Sequence, residues 1–89
     1  MEKLNSIPEG AQWSGKEEVP AIGAAVMVKM NGIGRGIVTG YSAVPGENKN
    51  WLAIWVSVDS PPEWFRRQNR DWESRLFMFF GVDIALIEE

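Results

Sequence analysis

Eighty-nine residues, 45% of them apolar and 24% charged, are enough to build one small core and leave no room for a second. The chain contains no cysteine and no histidine, which excludes disulfides, thiolate nucleophiles, zinc–sulfur sites and any Ser–His or Cys–His catalytic pair. Its net charge of −3 argues against a generic nucleic-acid coat, although a local basic patch can override the global sign. With only carboxylate, Lys, Tyr41 and Ser/Thr chemistry left, the chain reads as a non-enzyme that needs neither metal nor cofactor.

The opening Met1-Glu2-Lys3-Leu4-Asn5 has no apolar core to serve as a secretory signal, and no stretch reaches membrane-spanning length. The expected compartment is therefore the cytoplasm. Residues 1–19 read as an extended or partly disordered arm, and residues 20–89 as the folded domain. Ile7, Trp13 and Val19 follow no period, Pro8, Gly10, Gly15 and Pro20 punctuate the segment, and Lys16-Glu17-Glu18 is a charged run. Trp13 could pin this arm across the domain, since an indole buries about 200 Å² when covered.

From Ala24 the pattern changes. Ala25-Val26-Met27-Val28-Lys29-Met30 has a rough period of two and predicts a strand. Asn31-Gly32 signals a tight turn. The run Ile33-Gly34-Arg35-Gly36 is too glycine-dense for a regular ladder and predicts a bulge or a close backbone approach. Ile37 to Ala43 predicts a second strand, and the polar turn Pro45-Gly46-Glu47-Asn48-Lys49-Asn50 follows it. Trp51 to Val58 is the strongest strand signal in the chain, stopped by Asp59-Ser60-Pro61-Pro62. Glu63 to Ser74 reads as irregular or briefly helical. Leu76-Phe77-Met78-Phe79-Phe80 predicts a fourth strand, Gly81 to Ile84 a tight turn, and Ala85-Leu86-Ile87-Glu88 a short last strand.

Five strands with short connections predict an all-β fold, a five-stranded antiparallel barrel preceded by an extended arm. Closure would hide the edges that so apolar a sheet exposes. The order of elements, with Ile22-Gly23 leading in and Gly34-Arg35-Gly36-Ile37-Val38-Thr39-Gly40-Tyr41 as the second strand, resembles an SH3-like small barrel. The pattern Val-x-Val, glycine-broken turn, Gly-x-Val-x-Gly is similar to that of the KOW and CAP-Gly branches, and the likeness covers roughly residues 20–88. The chain also resembles short proteins carried by phages and mobile elements. The resemblance implies a scaffold for binding peptides, nucleic acid or copies of itself. It carries over no site residues: the Gly-Lys-Asn-Asp-Gly run of CAP-Gly domains and the Val-Gln-Ile-Tyr of plasmid-type dihydrofolate reductases are both missing.

Three features could carry function. On the strand 51–58, alternation puts Leu52, Ile54, Val56 and Val58 on one face and Trp51, Ala53, Trp55 and Ser57 on the other. If the aliphatic set is the core, Trp51 and Trp55 face outward and are either covered by the chain itself or form an interface, with a second copy or another partner. In the stretch 63–75, Arg66, Arg67, Arg70 and Arg75 interleave with Trp64, Phe65 and Trp72, a composition that can hold phosphates and stack bases. Glu63, Asp71 and Glu73 cut its local balance to about +1, so a solvated, internally paired loop explains it as well. The glycine run fails as a phosphate loop because a strand, not a helix, follows it, though Arg35 at its tip could contact an anion. The leading expectation is a small interaction module that binds protein, with homodimerisation through the aromatic strand as its most concrete form, and a nucleic-acid-binding barrel using the 63–75 stretch is the alternative.

Overall fold

The computed structural model describes residues 2–87. Its strands are β1 (Ala25–Val28), β2 (Gly34–Pro45), β3 (Asn50–Val58), β4 (Phe77–Phe80) and β5 (Ile84–Leu86), with one short helix, α1 (Glu63–Gln68). Single 3₁₀ turns at Met30–Gly32 and Gly81–Asp83 join β1 to β2 and β4 to β5.

β3 organises the molecule. Leu52, Ile54, Val56 and Val58 are all buried, as the alternation predicts, and they form the floor of the core. β1 adds Val26 and Val28, β2 adds Val38 and Tyr41, and the edge strands add Phe79 and Ile84. Every ladder is antiparallel, in the order β4-β3-β2-β1-β5. The chain is therefore all-β, with five strands in one sheet.

The glycine-dense run is not a loop. It is the first part of β2, and Gly34 and Gly36 pair with Val28 and Val26 of β1. A side chain at Gly36 would put its Cβ 2.3 Å from Val56 Cγ1 and 2.9 Å from Ser57 O, so only glycine lets β2 lie this close to β3. The Asn31-Gly32 turn is a 3₁₀ turn with both residues at positive φ. A bulge follows, where the register with β3 shifts between Val38 and Gly40. The extra residue, Thr39, donates its hydroxyl to Trp55 O at 3.2 Å. The bulge reverses the parity of β2, so Val38 and Tyr41 both reach the core.

The closed barrel expected from the strand count is not what the ladders form. β4 and β5 are the ends of the strand order, and no ladder joins them among the described residues. Other elements lie over the core instead: Phe65 of α1 is buried in it, and Ala11, Trp13, Val19 and Trp72 pack against it.

The segment before β1 straddles the β2–β3 ribbon. Leu4 exchanges two backbone hydrogen bonds with Tyr41 on the β2 edge, at 2.7 and 2.9 Å, and Gln12 bonds Asn50 and Leu52 on the β3 edge, at 2.9 and 2.7 Å. Trp13 Nε1 donates to Glu17 O at 2.8 Å, and the buried Tyr41 hydroxyl donates to Pro20 O at 2.7 Å. The last strand ends at Leu86, and Glu88 of the expected strand lies outside the described residues. No helix among the described residues is long and apolar enough to cross a membrane.

Candidate protein-binding face

The side of the sheet away from the core is also apolar. Cross-strand register places Trp51, Ala53, Trp55 and Ser57 of β3 beside Val44, Ser42, Gly40 and Ile37 of β2. On the other flank, Phe80 lies beside Ala53 and Met78 beside Trp55. Trp51, Trp55, Met78 and Phe80 are thus neighbours on one surface, each only half-buried. The register of β4 was needed to see Met78 and Phe80 there.

Both tryptophans are held in place. Trp55 Nε1 donates to Ser42 Oγ at 2.7 Å, and that hydroxyl donates in turn to Glu2 O. Lys3 lies alongside: its stem would collide with any side chain at Gly40, and its ammonium donates to Thr39 O at 3.1 Å. Trp51 carries the Lys49 ammonium 4.7 Å from its ring centroid, a cation–π contact worth about 0.5–1 kcal/mol at an exposed site. Between Trp51, Phe80, Val82 and Ser14 runs an apolar groove of about 260 Å³. Val82 on its rim is 63% exposed, the most open large apolar side chain among the described residues.

The 63–75 candidates fall elsewhere and divide. Phe65 is core, 5% exposed and edge-on to Phe77 with ring centroids 4.8 Å apart. Trp64, 38% exposed, meets Phe65 edge-on. Arg67 pairs with Glu63 at 3.1 Å, and Arg75 with Asp71 at 3.8 Å while lying over the Phe77 ring. Arg66 and Arg70 are exposed with no carboxylate partner among the described residues. Arg35 stands within β2 opposite Met27, rather than at a loop tip, with Asp59 at 4.0 Å.

Compared with known proteins, the chain matches no family model, no curated protein and no solved structure.

Proposed function

We propose that this chain is a small non-catalytic interaction module that binds protein through the outer face of its sheet, with a second copy as the most direct partner. The observation that carries this reading is the grouping of Trp51, Trp55, Met78 and Phe80, each half-buried, on the outer surface of the sheet beside the exposed Val82. Tryptophan at the centre of an apolar patch is typical of interface hot spots, where a large area is desolvated around one polar N–H. The strand order, in which the last strand pairs with the first, supports a curved, SH3-like small barrel as the finer description of the scaffold. The experiment is light scattering on the eluting protein over a roughly hundredfold range of concentration. A dimer that Trp51→Ser shifts to a monomer still unfolding cooperatively fits the reading. A dimer that survives Trp51→Ser contradicts it for self-association.

A second reading, nucleic-acid binding at α1, is favoured by one observation: α1 carries exposed Trp64 and Arg66, and Arg66 and Arg70 have no acidic partner among the described residues. It predicts that fluorescent single-stranded or duplex oligonucleotides bind at about 50 mM salt and dissociate steeply as salt rises. No anisotropy change at that salt removes it.

A further inference from the structure

Beyond the groove, on the other side of Ser14 and Val82, lies a second and smaller cavity. It holds about 130 Å³ and is lined by Ser14, Lys16, Glu17, Lys29 and Val82 among others. A liquid water occupies about 30 Å³, so the space suits a carboxylate. Its charges are unequal. Neither Lys16 nor Lys29 meets a carboxylate within ion-pair distance among the described residues. Glu17, the one acid in the wall, has Oε1 engaged by Leu86 N–H at 3.2 Å. Ser14 Oγ accepts Val82 N–H at 3.0 Å and keeps its own proton to donate.

The two cavities share a wall that is firmly built. Trp13 Nε1 closes the 13–17 turn on Glu17 O. Gly15 and Gly81 approach so closely that a Cβ on Gly81 would fall 2.4 Å from Gly15 N. The apolar groove (Trp51, Phe80, Val82) and the basic pocket (Lys16, Lys29, Ser14) are thus fixed side by side. In an extended chain side chains two residues apart share a side and lie about 6.6 Å apart, so residues i and i+2 of one peptide can enter both.

We propose that this double cavity binds an acidic linear peptide of another protein, with a bulky apolar side chain in the groove and an Asp or Glu carboxylate, two residues away, between Lys16 and Lys29. The inference rests on the outer face being a protein-binding surface and adds the chemistry of the partner. Charge complementarity decides the occupant. A chain of net charge −3 that sets Lys16 and Lys29, neither of them ion-paired among the described residues, against the single acid Glu17 at the end of its apolar groove favours an acidic ligand there.

The test pans a phage-displayed library of random ten-residue peptides against the full chain. The best recovered sequence is then synthesised with fluorescein and titrated by anisotropy against wild type, Lys16→Glu/Lys29→Glu and Val82→Asp. All three positions are exposed, and melting curves verify that each variant is folded. The expected result is a set of peptides pairing Phe, Trp or Leu with a nearby Asp or Glu, whose affinity falls at least about tenfold in both variants and declines with salt. No enrichment, peptides lacking the acid, or equal affinity for all three proteins would overturn the proposal. The solution mass of wild type and Trp51→Ser separates the two failures. A dimer dissociated by Trp51→Ser, with no acidic peptide recovered, sinks the acidic peptide and leaves the protein-binding face standing, whereas a monomer that enriches no peptide sinks both.

Discussion

Ser42 joins the two halves of the outer face. Its side chain is almost fully buried, accepts the Trp55 indole N–H and donates to the carbonyl of Glu2. Ser42→Ala leaves a donor and an acceptor in search of water on a partly buried surface, a cost of about 1 kcal/mol. For a domain of this size that lowers Tm by about 4–8 °C. Because the partners are linked, Trp55→Phe should cost less in the Ser42→Ala background than in wild type, by at least about 0.5 kcal/mol in a double-mutant cycle. Equal costs in the two backgrounds would show that the bond contributes nothing.

At the scale of elements, the segment before β1 is the part most dependent on a single close approach. Gly15 and Gly81 touch backbone to backbone under the Trp13 ring, so Gly81→Ala must push the segment off the end of β4. Amides that bond to this segment, such as Leu52 N–H on Gln12 O and Tyr41 N–H on Leu4 O, should then exchange faster. Amides within the β2–β3 ladder should lose far less protection, because local opening follows local packing. A uniform loss of protection in hydrogen exchange would mean the segment is part of the global cooperative unit. The charged run in this segment also gains a role that its composition concealed: Glu17 ties the segment to β5, and Lys16 turns into a pocket.

Across the whole molecule, one sheet carries apolar side chains on both faces. The inner face is sealed by Phe65, Ala11, Trp13 and Val19, whereas the outer face holds Trp51, Trp55, Met78 and Phe80 only half-buried. Antiparallel sheets in small proteins ordinarily present a polar outer face, and this departure is the physical reason to expect association. Removing Trp51 tests it cleanly, since the ring rests on Lys49 and Gly46 of the β2–β3 turn rather than on the core. The solution mass should respond to Trp51→Ser while the chain stays cooperatively folded, its Tm lowered only by the few degrees that the lost cation–π contact and the lost association account for.

Strand identity on β3 was legible in the sequence because a period of two is a local property: Leu52, Ile54, Val56 and Val58 had to share a face, and they form the core. The brief helix at 63–68 and the tight turn at 81–83 were equally local signals. The close approach expected of the glycine run is found at Gly36, against Val56 and Ser57, whereas the regular pairing of Gly34 and Gly36 with β1 was not legible, because it depends on a partner strand that no local pattern names. Phe65 and Trp64 are adjacent in sequence, yet one is core and the other solvent-facing, a division that only the packing of α1 on Phe77 decided. The sequence by itself determined an all-β chain with tryptophans on the outer face of β3, its strongest strand. Only the tertiary structure set Met78 and Phe80 beside them and Lys16 and Lys29 near Val82, because register joins Trp55 to Met78 and Ala53 to Phe80 across the sheet, and the segment before β1 brings Ser14 to Val82, 68 residues away.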